Sequence, residues 1–184
     1  MQFKNIAITA ASAAAVSAQT SNGQQVFGVL SIASGTPLQY AGWSASQRGL
    51  FNHGAAQQAS CDKGLAQEFA TFQLTDAGEL YLYSTSNPRQ QVFVDRSGMG
   101  QGIIGYTTGV EPTPRNAERT GFSVEDGHLK FDGNDFQACP GYAEGSYKVW
   151  LAGTTNPGGN SNCTAVAARI QTISEPVGCL YQQQ

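Results

Sequence analysis

Two short stretches with the same pattern decide the predicted fold. Residues 72–82 read FQLTDAGELYL, and residues 122–131 read FSVEDGHLKF. In each stretch, apolar residues alternate with polar ones on both sides of a turn that contains Asp and Gly. A period of two is typical of a strand that is buried on one face, and Asp with Gly between two such strands favours a hairpin. We therefore predict two similar β-hairpins.

A third, weaker copy of this pattern begins at Phe27-Gly28-Val29 and continues through Ser34-Gly35 to Leu38 and Tyr40. Three similar units that start at residues 27, 72 and 122 favour a threefold arrangement, which is a β-trefoil-like domain. A β-sandwich or a barrel is the alternative architecture for a chain of short antiparallel strands.

The rest of the chain also favours strands over helices. Further strands are predicted at residues 91–94, 103–107, 147–151 and 166–173, each rich in β-branched or aromatic residues. Residues 44–50 are the one place where one or two helical turns are predicted. The sequence thus indicates a compact, single, all-β domain.

The N-terminus has the three parts of a secretory signal peptide. Lys4 gives a positive start, residues 6–16 are small and apolar, and Val16-Ser17-Ala18 resembles a cleavage site. We predict that residues 1–18 are removed after Ala18 and that residues 19–184 form the secreted domain. No second long apolar segment and no apolar C-terminal tail follow, so neither a membrane span nor a lipid anchor is predicted.

Composition narrows the function classes. Charged residues make up 12% of the chain, against about 25% in typical proteins, and the net charge is −3. Because nucleic-acid binding needs a basic face, this balance argues against nucleic acid as a partner.

The four cysteines, Cys61, Cys139, Cys163 and Cys179, predict two disulfide bonds in a secreted chain. Three pairings are possible, and we favour Cys139–Cys163 with Cys61–Cys179. The closely spaced cysteine pairs of zinc sites do not occur, so we expect neither a metal nor another cofactor.

Three patterns could carry chemistry, and for each we prefer a structural interpretation. Residues 100–105, GQGIIG, match the dinucleotide-binding motif G-x-G-x-x-G, but the residues that follow predict a strand where that motif needs a helix. His53 and His128 lie next to turn residues, and the G-x-S-x-G motif of serine hydrolases does not occur. The six acids considered for a glycosidase pair are Asp76, Asp95, Glu125, Asp126, Asp132 and Asp135.

Asp76, Asp126 and Asp132 occupy turn positions that favour Asp, and Asp95 is expected to pair with Arg96 at a strand end. We therefore predict that the protein is not an enzyme. Five aromatic residues could stack on sugar rings, although packing is the preferred role for each: Tyr40, Trp43, Tyr106, Tyr142 and Trp150. Asn162 begins the sequence Asn-Cys-Thr and is a predicted N-glycosylation site.

The central segment carries a resemblance to a known family. Residues 95–102, DRSGMGQG, followed by residues 104–109, IGYTTG, resemble the central segment of phiA-type fungal cell wall proteins. The similarity extends to residues 59–62, 80–83, 118–119, 138–140, 156–160 and 167–169, so it covers essentially the whole chain.

The resemblance implies a secreted cell wall protein of filamentous fungi. The family is associated with asexual development, the formation of phialides and conidia, and some members are allergens. It has no established catalytic residues, and the four cysteines of this chain match its cysteine positions.

A more distant similarity, over residues 119–129 and 136–139, is to the C-terminal domain of PIR-type wall mannoproteins. This chain lacks their repeated glutamine motif and their dibasic processing site, so an ester link to glucan is not expected. The resulting prediction is a structural wall protein whose partners are wall polysaccharide or other wall proteins. A lectin-like carbohydrate-binding module and a secreted effector are the alternatives.

Overall fold

The alternating sequence patterns form strands throughout the part of the chain that the computed structural model describes, which is residues 20–21, 24–53, 57–65, 67–142 and 145–183. The predicted signal peptide and its cleavage site lie outside the described residues. The strands are β1 (Thr20–Ser21), β2 (Gln24–Ile32), β3 (Trp43–Ser46), β4 (Gly49–Asn52), β5 (Ser60–Cys61), β6 (Thr71–Leu74), β7 (Leu80–Leu82), β8 (Gln90–Asp95), β9 (Ile103–Thr108), β10 (Phe122–Glu125), β11 (His128–Phe131), β12 (Phe136–Pro140), β13 (Tyr147–Leu151), β14 (Thr164–Thr172) and β15 (Cys179–Leu180). Within these ranges the helical segments are two 3₁₀ turns, Asp62–Gly64 and Pro157–Gly159.

Nine of these strands close into an antiparallel barrel. Their order around the ring is β2-β6-β7-β8-β9-β4-β13-β12-β14. Pairing between β14 and β2 closes the ring through six residue pairs, from Ala167 opposite Ile32 to Thr172 opposite Phe27. Closure gives every ring strand a paired neighbour on both sides, so the ring has no edge strand. The all-β prediction is confirmed, and the architecture is the barrel alternative.

Both predicted hairpins are present. β6 and β7 pair with Phe72 opposite Leu82, and β10 and β11 pair with Phe122 opposite Phe131. They hold different places in the fold, because β6–β7 forms part of the ring whereas β10–β11 lies outside it and pairs with β14. The same local pattern therefore makes the same hairpin without making a repeated unit.

The proposed third copy does not form a hairpin. β2 runs through Phe27 and Val29 to Ile32, and Ser34 to Tyr40 are turn residues. The β-trefoil-like preference is therefore not confirmed. β2 is a long strand of the ring, and it pairs with β6 on one side and with β14 on the other.

The helical prediction for residues 44–50 is wrong. β3 and β4 form a tight hairpin with Ser46 opposite Gly49. The two turn residues, Gln47 and Arg48, have φ of 46° and 59°. A two-residue turn with both φ values positive matches the twist of the strands and is usually marked by Asn-Gly. Because Gln and Arg occupy the turn here, the sequence gives no such signal.

The barrel interior is filled by large aromatic and aliphatic side chains. Trp43 is fully buried and makes edge-to-face contacts with Phe136, at 5.1 Å between ring centroids, and with Phe72, at 6.4 Å. Its indole N–H donates to Ser31 Oγ at 2.9 Å, and Ser31 in turn donates to Asn52 Oδ1 at 3.1 Å. Asn52 Nδ2 donates to the Ala41 carbonyl at 3.4 Å, so the buried side-chain polar groups of Trp43, Ser31 and Asn52 all have partners, as a low-dielectric interior requires.

The G-x-G-x-x-G segment is a turn that leads into strand β9, as its structural interpretation predicted. The Gly102 N–H donates to the Asp95 carbonyl at 2.8 Å, and the Asp95 carboxylate accepts the Ser97 N–H at 2.9 Å. Gly100 packs directly on Asp95, since a Cβ at this position would lie 2.2 Å from Asp95 Cγ. Glycine is therefore required at residue 100 for steric reasons.

Gly100→Ala is expected to lower the free energy of unfolding by about 1–3 kcal/mol, because the new methyl group overlaps Asp95 and the turn must shift. Urea denaturation followed by tryptophan fluorescence measures this loss. Gly98→Ala is the matched control, since a Cβ there meets no atom within 4 Å. Equal stability of the two variants would contradict the packing assigned to Gly100.

Candidate functional site

The four cysteines form two bridges inside the chain. Cys61 is joined to Cys179 across the β5–β15 pair, and Cys139 on β12 is joined to Cys163 just before β14. These are the two bridges favoured from the sequence. All four cysteines of the chain are paired, so their role in the structure is to hold segments together.

The Cys61–Cys179 bridge is followed by a C-terminal tail that packs into the core. Tyr181 is 2% exposed, its N–H donates to Gln90 Oε1 at 2.7 Å, and Gln90 Nε2 donates to the Tyr181 carbonyl at 2.8 Å. The Thr71 N–H donates to the Tyr181 hydroxyl oxygen at 3.0 Å, and the Tyr106 hydroxyl donates to the Gln182 carbonyl. The tail is thus fixed to β6, β8 and β9.

The buried tail tyrosine makes stability depend on alkaline pH. Burial raises the pKa of Tyr181 from 10.0 to about 12, and burial also raises the pKa of Tyr106. The unfolded chain loses these protons first, so the contribution of the two tyrosines to stability is fully present below pH 10 and falls as the pH rises toward 12. Tyr181 alone is expected to contribute a loss of about 2–3 kcal/mol across this window.

Urea denaturation at a series of pH values from 8 to 12 measures this dependence. Tyr181→Phe is expected to show a shallower loss above pH 10 than the wild type, because one of the two buried hydroxyls is gone. Tyr40→Phe, which changes an exposed ring, is the matched control and keeps the wild-type dependence. Identical slopes for Tyr181→Phe and the wild type would contradict the assignment.

The five candidate aromatic residues divide into core and surface. Trp43 and Tyr106 are buried in the core, and Trp150 is 6% exposed. Tyr40 and Tyr142 are 67% and 50% exposed. Of the five rings, only those of Tyr40 and Tyr142 are therefore exposed enough to stack on a sugar.

Tyr142 belongs to a small surface cluster. Its ring centroid lies 4.9 Å from that of Phe51, and Lys148 Nζ lies 5.3 Å from the Tyr142 centroid and 5.4 Å from that of Trp150. Partial burial lowers the pKa of Lys148. The indole N–H of Trp150 is buried without a hydrogen-bond partner among the described residues. In this cluster the exposed ring of Tyr142 contacts the aromatic ring of Phe51 and the ammonium group of Lys148.

The candidate carboxylates lie in turns and surface ion pairs. Arg96 pairs with Glu118 and, at 2.8 Å, with Asp132, so the predicted Asp95–Arg96 pair does not form. The Asp95 carboxylate instead caps the backbone of the glycine-rich turn. Asp135 pairs with Lys130 at 2.9 Å. The remaining three acids follow the same pattern, since Asp76 and Asp126 are turn residues and Glu125 accepts from the Ser123 hydroxyl.

Each histidine ring lies within hydrogen-bonding distance of a nearby backbone carbonyl oxygen. His53 Nε2 lies 2.6 Å from the Pro37 carbonyl oxygen, and His128 Nδ1 lies 3.0 Å from that of Asp126. Because a carbonyl oxygen only accepts, each of these ring nitrogens carries a proton. The described residues contain no group of three or more His, Cys, Asp or Glu side chains that could hold a metal ion.

A groove of about 420 Å³ lies on the outer wall of the barrel. Its floor includes Gly28 on β2 and Gly42 just before β3, and its apolar walls include Phe69 and Ile173. The neighbours of Gly28, Phe27 and Val29, point into the core, so the missing side chain of Gly28 would point outward into the groove.

Polar side chains also line this groove, beside its apolar walls. Glu68, Gln171, Ser44 and His53 all line it. Glu68 is the one carboxylate among the lining residues, so the paired carboxylates of glycosidases do not occur here. The sequence patterns did not indicate this site because its residues come from five separate segments of the chain. The only local signal was glycine at residues 28 and 42 within or beside strands.

Two further observations concern predicted features of the surface. Asn162 is exposed and directly precedes the bridged Cys163, and its glycosylation stays a prediction. Among the helical segments in the described ranges, none has the length and hydrophobicity needed to cross a membrane.

Comparison with known proteins shows the family. A family model described as PhiA-like secreted protein matches residues 27–182. The cell wall protein phiA of Aspergillus fumigatus is 43% identical over the full length of both chains. The proteins of the same name from Aspergillus niger and Emericella nidulans are 46% and 45% identical and cover 98% of this chain. They are matched over 98% and 99% of their own lengths. No solved structure matches the chain.

These findings agree with the resemblance carried by residues 95–109. They place the protein outside the cell, in the wall. Neither the family description nor the names of these relatives describe an enzyme activity. The chain belongs to the PhiA-like secreted protein family.

Proposed function

We propose that the protein is a structural component of the fungal cell wall that contributes to wall organisation during asexual development, including the formation of phialides and conidia. The observation that carries the proposal is the similarity, along the whole chain, to proteins named as cell wall proteins. The developmental part rests on the family resemblance of residues 95–109.

The barrel has properties that suit such a role. Its nine ring strands leave no open edge in the ring, and two bridges join segments 118 and 24 residues apart. A cross-linked, closed sheet resists the local opening on which proteolysis depends. Durability of this kind is useful to a protein that stays outside the cell.

Retention in the wall is proposed to be non-covalent. All four cysteines are used inside the chain, so a disulfide to another wall protein would require one internal bridge to open. Only 12% of the residues are charged, so the chain carries few ionic groups, and uncharged polar side chains suit hydrogen bonding to a polysaccharide matrix.

Sequential extraction of isolated walls tests this proposal. Walls would be treated in turn with hot detergent, reducing agent, mild alkali and glucanase, and each fraction and the growth medium would be probed for the protein. We expect it to remain with washed walls and to leave them in hot detergent, before any reducing agent is added. Deletion of the gene is expected to lower the number of conidia.

Two outcomes would contradict the proposal. Release only by alkali or glucanase would indicate a covalent link and would overturn the retention mode. Recovery of nearly all the protein from the medium would overturn the structural role, and a soluble lectin or an effector would then explain the protein better.

A carbohydrate-binding function is the second candidate, and the exposed Tyr142 ring favours it. The ring is 50% exposed and contacts Phe51 and Lys148, and an exposed aromatic ring of this kind can stack on a sugar. Saturable binding to insoluble β-glucan or chitin that is lost in Tyr142→Ala would support this candidate. N-glycosylation at Asn162 is also proposed, and a mass loss after treatment with an N-glycosidase would demonstrate it.

A further inference from the structure

Gly28 and Gly42 form the floor of the groove on the outer wall of the barrel, although the backbone conformation at neither position requires glycine. Neither Gly28 nor Gly42 has a positive φ. A Cβ on Gly28 would meet Ile173 and Phe69 at an ordinary 3.7 Å, and one on Gly42 would meet Phe69 at 3.4 Å. Glycine in a strand costs stability and leaves no side chain to pack, and such positions often mark close approach by a ligand.

The polar groups of the groove are mostly hydrogen-bond acceptors. The Glu68 carboxylate can only accept, and His53 Nε2 faces the Pro37 carbonyl oxygen, so in the tautomer that donates from Nε2 the other ring nitrogen, Nδ1, is an acceptor. The Ser44 hydroxyl donates to the Phe51 carbonyl at 3.3 Å, so its oxygen accepts as well. Gln171 contributes an amide that can both donate and accept.

A set of acceptors fits a ligand with many hydroxyl donors. The negative charge of Glu68 disfavours an anionic ligand such as a phosphate or a uronic acid, since an unpaired like charge would be brought beside it. The apolar walls at Phe69 and Ile173 fit the C–H face of a sugar ring. The volume of about 420 Å³ lies within the range of about 300–1,000 Å³ for ligand pockets.

We propose that this groove binds a neutral pyranose unit of a wall polysaccharide. The sugar ring lies over Gly28 and Gly42 with one face against Phe69, and its hydroxyls donate to Glu68 and His53. This proposal rests on the location of the protein in the wall and is independent of the structural role proposed above. It also differs from stacking on Tyr142, because that ring does not line the groove.

Isothermal titration calorimetry on the purified full domain tests the proposal. The probes are a β-1,3-glucan hexasaccharide and a chitin hexasaccharide as neutral pyranose chains, with a galacturonate oligosaccharide and a chitosan oligosaccharide as acidic and basic comparisons. We expect saturable binding of at least one neutral chain, with the acidic chain at least about tenfold weaker.

Gly28→Val fills the floor with a residue that strands favour, and it is expected to weaken binding at least about tenfold without lowering the midpoint of thermal unfolding. Phe69→Ala and Glu68→Gln change exposed side chains and keep the proposal testable if Gly28→Val fails to fold. Both are expected to weaken binding. Tyr142→Ala is the matched control and is expected to bind as the wild type does.

Several results would overturn the proposal. These are no binding of either neutral chain, binding confined to the basic chain, and wild-type binding by the three groove variants. Loss of binding in Tyr142→Ala alone would move the site to the Tyr142 cluster. Because location in the wall is measured separately by extraction, failure here would leave the proposed structural role standing.

Discussion

Loss of the Cys61–Cys179 bridge is expected to destabilise the protein more than loss of Cys139–Cys163. The first bridge closes a loop of 118 residues and the second a loop of 24. In the chain-entropy account, a cross-link stabilises by restricting the unfolded chain, and loops of these lengths correspond to about 5 and about 3 kcal/mol. The first bridge also fastens the tail that carries Tyr181 into the core.

The measurement compares two double variants, Cys61→Ser with Cys179→Ser, and Cys139→Ser with Cys163→Ser. The free energy of unfolding of each is obtained from guanidinium denaturation and set against that of the wild type. Each variant is the control for the other, since both remove two cysteines. If the variant without Cys139–Cys163 is no more stable than the variant without Cys61–Cys179, loop length does not control the contribution of these bridges to stability.

Trp43→Ala is expected to lower the free energy of unfolding by about 3–5 kcal/mol, the range for truncating a buried aromatic side chain. Trp43 is fully buried between Phe72 and Phe136. The substitution leaves a cavity inside the barrel and removes the donor to Ser31. Urea denaturation followed by circular dichroism measures the loss without relying on the deleted fluorophore.

Two further variants separate packing from hydrogen bonding at this position. Trp43→Phe keeps most of the ring volume and is expected to lose less than Trp43→Ala. Ser31→Ala leaves the Trp43 indole N–H without its acceptor and Asn52 Oδ1 without its donor, and it is expected to cost about 1–3 kcal/mol. A loss of less than 1 kcal/mol in Trp43→Ala would contradict the central place of this side chain in the core.

Local patterns were sufficient to predict most strands of the domain. The Asp126-Gly127 turn gave the β10–β11 hairpin, and residues 147–151 matched β13. These predictions succeeded because alternation and turn residues act within a few positions of each other. The β3–β4 hairpin was missed because Gln47 and Arg48 form its turn in place of the usual Asn-Gly.

The closure of the ring and the groove could not be predicted in the same way. The pairing of β2 with β14 joins residues more than a hundred positions apart. No sequence pattern within either strand identifies the other strand as its partner. The groove likewise brings Gly28, Gly42, Phe69 and Ile173 together only after the ring has closed. Only the glycines carried a signal, and a strand glycine by itself has several explanations.

The ring-closing pair has a consequence for synthesis. β2 lies near the start of the described chain, whereas β14 and Cys179 lie near its end. While the chain is still entering the secretory compartment, the early strands have no β14 with which to pair, and Cys61 has no native partner. Closure of the ring and formation of the Cys61–Cys179 bridge must therefore wait until β14 and Cys179 arrive. During that interval the open edge of β2 and the Cys61 thiol depend on the chaperones and oxidoreductases of the compartment for protection.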